Sequence, residues 1–346
     1  MGTVQADSVE ITILVENWVD MLLPDLELGD GGHCVRSGLI DHFDQRRTPP
    51  QAENGISLLV TARRGHHAST TLFDVGLTGS VLVHNLRALG VDASRIEHVV
   101  ISHGHPDHYG GLHAFLDEFD RTIAVATHTD AFLPRYAVMG DGRTSAYYNQ
   151  TFTINDIERR GGRPVLSSGA LDLGCGMFTT GFIPRRVPFE GPVAPPEPHA
   201  PGLYQVHADG SYGLDEVLDE QGLVVDVKDR GLVVLTGCAH AGVLNTIDQA
   251  REICGPRPVH AVLGGFHLGF PTTPRENVRL TVDGMRERDV AHVIPMHCSG
   301  LATHAAFRDE LSDRYLQPSV GTCSDSARER RIGLPVAHLP SVRLPG

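Results

Sequence analysis

The chain is poor in positive charge and above all in lysine: Lys228 is the only lysine among 29 Lys and Arg residues, against 42 Asp and Glu. A formal net charge of −13 argues against a nucleic-acid groove, which needs clustered cations to neutralise phosphates. Long hydrophobic runs are absent as well. No stretch approaches the ~18 uninterrupted apolar residues of a membrane span, so no membrane partner is expected. The N-terminus lacks the basic start and apolar run of a signal peptide, and a cytoplasmic location is the expectation. Cys34, Cys175, Cys238, Cys254, Cys298 and Cys323 never fall at CxxC spacing. That argues against a structural zinc ribbon and against a disulfide framework. What remains is an ordinary composition over 346 residues, enough chain to bury a sizeable core.

One run carries most of the chemistry. Residues 97–112 read Glu-His-Val-Val-Ile-Ser-His-Gly-His-Pro-Asp-His-Tyr-Gly-Gly-Leu. His103, His105, Asp107 and His108 place four metal-competent side chains within six residues, directly after an apolar strand. Imidazoles and a carboxylate suit zinc, and also iron or manganese. His103 and His105 alternate along an extended loop and can face one ion. Pro106 then bends the chain, so Asp107 and His108 can turn towards a second. Gly110 and Gly111 let the backbone pass close behind. The alternative is a polar surface turn that is rich in histidine by chance, which four metal-competent side chains at this spacing make a poor account.

The remaining pattern alternates strands and helices, as an α/β layered fold does. Ile11 to Val15 is a β-branched first strand, and Ile56 to Thr61 with Thr70 to Asp74 form a hairpin around Arg63 to Ser69. Ser80 to Leu89 is an amphipathic helix stopped by Gly90. Val99 to Ile101 delivers the histidine run, Leu112 to Phe119 is helical, and Ile123 to Ala126 returns to strand. Gly222 to Val227 and Gly231 to Thr236 make a second hairpin, followed by a helix over Val243 to Ile253 and strands at Val259 to Leu263 and His292 to Ile294. Residues 135–220 pattern poorly and read as loops and short hairpins that shape a pocket, within a single domain over 1–346. The Pro-rich tail over 333–346 reads as a C-terminal extension.

The histidine run resembles the metallo-β-lactamase superfamily, whose motif is His-x-His-x-Asp-His after a β-strand. Thr71-Leu72-Phe73-Asp74-Val75-Gly76 is similar to the family's strand-Asp-x-Gly segment, which implies that Asp74 supports the ligands from behind. Thr236 to Gly242, Gly264 to Leu268 and Pro295 to Cys298 resemble the later loops of one branch, related to a dihydropterin–ribofuranosyl-aminobenzene-phosphate synthase. The resemblance covers about 10–120 and 220–300, and implies a four-layer αββα sandwich with a binuclear zinc centre in the family's manner.

By that resemblance His297 is the last histidine of the family and completes the second ion with Asp107 and His108. His240 follows a strand much as His103 does and joins His103 and His105 at the first. Many members carry a bridging aspartate where this chain has Cys238, which is either a thiolate ligand or a small buried spacer. His267 also follows a strand, as a ligand, a proton donor to the leaving group or a substrate contact. The usual third histidine, in a Gly-His-Thr-like turn, is missing from Thr179 to Arg185; His199 and His207 lie near in sequence without a pattern. Asn17 and Trp18 are candidates for the pocket mouth, and Arg185 and Arg186 for binding a substrate phosphate or carboxylate.

The expected activity is hydrolysis of a carbonyl or phosphoryl centre in a small molecule, with Asp107 and His267 as catalytic groups. The alternative implied by the branch is a transferase that joins a pterin diphosphate to a ribofuranosyl-aminobenzene phosphate. A di-iron redox protein is a third reading. It is opposed by His105, where such relatives carry glutamate.

Overall fold

The computed structural model describes residues 4–28, 31–36, 48–119, 122–148, 152–191, 200–207, 209–270 and 273–326. The expected extension from 333, and His199, lie outside them.

Two large sheets face each other. In the nine-stranded sheet, Ser8–Val15, Ser57–Arg64 and His67–Phe73 pair antiparallel, and His98–Val100, Ile123–Thr127 and Gly162–Leu166 continue the sheet in parallel from His67–Phe73. The hairpin turns at Gly65 and sets Leu58 opposite Phe73. In the six-stranded sheet, Leu223–Val227 and Gly231–Thr236 pair antiparallel, followed in parallel by Val259–Gly265 and Val290–Met296.

Strand alternation explains the layering. Leu223–Val227 and Gly231–Thr236 are buried at every position, as strands covered on both faces are. Val225, Val233 and Leu235 point between the sheets, against Ile11, Leu58, Val60, Phe73 and Val100. Val224, Leu232 and Val234 point the other way, against Val243, Leu244, Ile247, Val282 and Met285. Those residues belong to the helices Val243–Cys254 and Arg275–Glu287. On the far side of the other sheet, Leu82 and Leu86 of the helix Gly79–Ala88 and Leu112, Phe115 and Leu116 of the helix Leu112–Phe119 cover Leu14, Leu72 and Val99. The result is helix, sheet, sheet, helix, as the resemblance implies. Most sequence-assigned elements recur with ends extended by a few residues.

Residues 135–220 divide among three places. Gly162–Leu166 joins the nine-stranded sheet, and Asp172–Gly174 with Met177–Thr179 edges the six-stranded one. Arg135–Val138, Thr144–Tyr148, Gly202–Val206 and Tyr212–Leu214 form a separate four-stranded antiparallel sheet.

Candidate metal centre

Parallel strands of both large sheets end at one edge, and each end delivers a polar residue. Asp74 follows His67–Phe73, His103 follows His98–Val100, Cys238 and His240 follow Gly231–Thr236, His267 follows Val259–Gly265, and His297 follows Val290–Met296. Four of these turns use left-handed backbone: φ is 56° at Asp74, 58° at Ala239, 52° at His267 and 48° at His297. Such conformations cost energy in non-glycine residues and persist where the surroundings enforce them. Gly237 is needed for closeness instead, since a Cβ there would lie 2.1 Å from Ser102 Oγ.

The side chains fall into two facing groups. His103, His105 and His240 form one; Asp107, His108, Cys238 and His297 form the other, with the candidate ligand atoms of each group within 4.8 Å of one another. The His103 ring centroid is 4.5 Å from His105, 4.1 Å from His108 and 4.8 Å from His240. His297 Nε2 lies 3.1 Å from Asp107 Oδ2. Beside His103 and His105 the third imidazole is that of His240, from beyond Cys238 rather than from Thr179 to Arg185. Cys238 stands with the Asp107 group, and it also groups with His240 and His267, which puts its sulfur on the side shared by both.

Hydrogen bonds orient the rings of His103, His105 and His108. His108 Nδ1 is 2.7 Å from Asp74 Oδ2, so Nε2 faces the group and lies 3.1 Å from Cys238 Sγ. Ser102 Oγ donates to Asp74 Oδ2 and lies 3.0 Å from His103 Nδ1. His105 Nε2 is 3.1 Å from Asp215 Oδ2; in a neutral ring that leaves the Nδ1 lone pair for a cation.

The electrostatics suit a cation. Burial, reinforced by neighbouring histidines, holds His103 and His240 well below the ordinary imidazole value, so both are in the neutral, ligating form. Their Nε2 atoms are buried without a hydrogen-bond partner, which is costly unless something else accepts the lone pair. Burial opposes charge on Asp107, but His108 and His297 outweigh it and hold that carboxyl below its usual range. Burial pushes Glu16 up to about 7, although it accepts from His297 N, and Glu220 up to about 7, although it accepts from His240 N and Ala241 N. A divalent cation nearby would favour the ionised form of both. Imidazole, carboxylate and thiol together are donors for a borderline metal such as zinc.

The model of the metallo-beta-lactamase superfamily matches residues 57–248. The chain belongs to this superfamily. It is 28% identical over 279 residues to a Methanocaldococcus jannaschii protein named 7,8-dihydropterin-6-methyl-4-(beta-D-ribofuranosyl)-aminobenzene-5'-phosphate synthase, covering 80% of this chain and 91% of that one. A second, uncharacterized protein of the same organism is 27% identical over 254 residues, covering 72% of this chain and 85% of that one. Among solved structures, one described as a metal-dependent hydrolase of the beta-lactamase superfamily superposes with a TM-score of 0.65 at 24% identity, over 91% of this chain and 98% of that one. At that identity the likeness shows the metallo-β-lactamase fold.

Several residues at this metallo-β-lactamase centre were not legible in the sequence. Glu16 holds the His297 backbone from the end of the first strand; Asn17, a candidate for the pocket mouth from the sequence, donates its Nδ2 to His297 O at 2.7 Å. Ser102 bridges Asp74 to two histidines. Asp215, Asp219 and Glu220 reach the ligand loops from a stretch that reads only as pocket-shaping loop. The one available signal was four acids within six residues, Asp215, Glu216, Asp219 and Glu220, ahead of the largely apolar strand Leu223–Val227. Other candidates sit elsewhere. Trp18 packs edge-on to His304 at 4.8 Å. Arg185 is engaged with Glu216, and Arg186 with Glu252. His207 hydrogen-bonds Gln205 within the small sheet.

Proposed function

We propose that the chain is a metal-dependent hydrolase with two zinc ions, acting on a carbonyl or phosphoryl centre of a small molecule. The observation that carries this reading is the pair of facing, buried ligand groups with the Cys238 sulfur on their shared side. His103, His105 and His240 would hold one ion; Asp107, His108, Cys238 and His297 the other. Bound there, the ions would supply a water acidified towards neutrality as the nucleophile at physiological pH. The protein's own part is to hold the ligands. Asp74 keeps the proton on His108 Nδ1, and Glu16 and Asn17 pin the His297 backbone. His267 is half-buried, with its ring 4.1 Å from His240. In this reading it hands a proton to the leaving group.

The test is turnover of a panel of lactones, thioesters and phosphodiesters by zinc-loaded protein. Activity should disappear with a chelator, return with zinc, and be absent in His103→Ala and Asp107→Ala. Full activity in either variant with unchanged metal content would sink the assignment.

A second reading is favoured by one observation, the 28% identity to a protein named as a synthase. The same ligands could steady a diphosphate leaving group while two substrates are joined. Incubation with a pterin methyl diphosphate and a ribofuranosyl-aminobenzene phosphate separates the two: a joined product with release of diphosphate favours the synthase reading, and water-dependent cleavage alone favours hydrolysis.

A further inference from the structure

Residues of the small sheet and of the segment after it reach the centre. Arg135, at the start of Arg135–Val138, is buried beneath the histidine loop. Its Nε donates to Asp215 Oδ2 at 2.8 Å and its Nη2 to Asp219 Oδ1 at 2.6 Å. The same Asp215 oxygen lies 3.1 Å from His105 Nε2, and Asp219 Oδ2 accepts from Gly104 N at 2.7 Å. Glu220 then accepts from His240 N at 2.8 Å and from Ala241 N at 2.5 Å. Gln221 closes the run, with its N donating to Ser102 O and its Nε2 to Ile101 O.

Apart from Gln221, which holds the backbone at Ile101 and Ser102, these contacts fall on one ligand group and its loops. His105 is oriented through its ring, and His240 through its backbone. At His108 and His297, the hydrogen bonds come from Asp74, Glu16 and Asn17 instead. The segment is also held in a costly shape. Val217 has φ of 50° and donates its N–H to Asp215 Oδ1 at 3.0 Å; a β-branched residue in that region is a backbone outlier. Strain of that kind needs surroundings that enforce it, and here they fix the Asp215 carboxylate.

We propose that Arg135, Asp215 and Glu220 form a clasp that sets cation affinity at the His103, His105 and His240 position separately from the Asp107 position. The proposal rests on the reading of this site as a two-ion centre. Asp215 is a positioning residue: it holds the proton on His105 Nε2 and so aims Nδ1 at the cation. Carboxylates that act this way commonly contribute a factor of roughly 10 to 100 in metal affinity.

The experiment is a calorimetric zinc titration of chelator-stripped full-length protein, comparing wild type with Asp215→Ala and Asp215→Asn. Wild type should take up two equivalents. Asp215→Ala should lose roughly 10- to 100-fold in affinity for one equivalent and leave the other unchanged. Asp215→Asn retains an oxygen that can accept from His105, and should recover most of the loss. Histidine-selective nitrogen spectra of the zinc-loaded forms should show a proton on His105 Nε2 in wild type and Asp215→Asn. If Asp215→Ala does not fold, those spectra decide alone: a wild-type His105 protonated on Nδ1 overturns the clasp. Equal weakening of both equivalents, or of neither, also overturns it while leaving the two-ion centre standing. A wild-type protein that binds no zinc would overturn the two-ion reading itself.

Discussion

The thiol of Cys238 lies 3.1 Å from His108 Nε2, the ring nitrogen turned away from Asp74. Burial pushes that thiol well above its ordinary value, and the nearby Cys298, Asp107 and Glu220 add to the effect. A cation would reverse the balance and take the thiolate. Cobalt-loaded protein should therefore show a thiolate-to-metal charge-transfer band in the near ultraviolet, absent from Cys238→Ser. A band that survives the substitution would remove Cys238 from the ligand set.

Asp74 is fully buried and serves His108, Ser102 Oγ and Ser102 N at 2.7 Å each. Asp74→Ala strips the His108 ring of its orienting partner. Zinc affinity at the Asp107 group should fall roughly 10- to 100-fold, read by competition with a chromophoric chelator. Unchanged affinity would mean that His108 needs no such support.

Gly237→Ala tests closeness without touching a ligand. The new Cβ would meet Ser102 Oγ at 2.1 Å and Asp74 Oδ2 at 3.0 Å. The Ser102–Asp74 contact must then shift, and zinc content after dialysis should drop. Far-ultraviolet circular dichroism should show the sheets retained. Wild-type zinc content would show that the loop relaxes freely.

Phe115→Ala is the converse. Phe115 is buried with Leu82, Leu86 and Leu112 on the helix side of the nine-stranded sheet. Denaturant unfolding should report a loss of about 3–5 kcal/mol, with zinc affinity unaltered. A parallel loss of zinc would show that the helix layer and the centre are coupled.

Glu190 gives a pH dependence away from the ligand groups. Its two oxygens accept from Leu244 N and Asn245 N at 2.9 Å each, at the start of the Val243–Cys254 helix. Burial outweighs those bonds and raises its pKa from 4.5 to about 7. A carboxyl that is raised on folding binds its proton more tightly in the folded state. Its contribution to stability is complete below about pH 4.5 and is lost as pH rises through about 7. Unfolding free energies between about pH 5 and about pH 8 should contain this decline in wild type and lack it in Glu190→Gln. Equal slopes for the two proteins would refute the assignment.

The sequence alone determined the layered fold and named most of the candidate ligands, because both are written in local pattern. Apolar runs broken by glycine mark the strands, and His103 to His108 are close in the chain because they are close in space. His240 and His297 were legible because each follows a strand that ends at the same edge as the first motif. Tertiary structure alone decided where Cys238 stands, since a lone strand-end cysteine reads equally well as core until His108 is seen beside it. It also decided what supports the centre. Glu16 lies 281 residues from the His297 backbone it holds, and Asp215 lies 110 residues from His105. No spacing rule joins residues so far apart; only the folding of two sheets onto one edge brings them together. The run that begins at His103 thus sets the chemistry, and partners invisible to local pattern set how its rings are aimed.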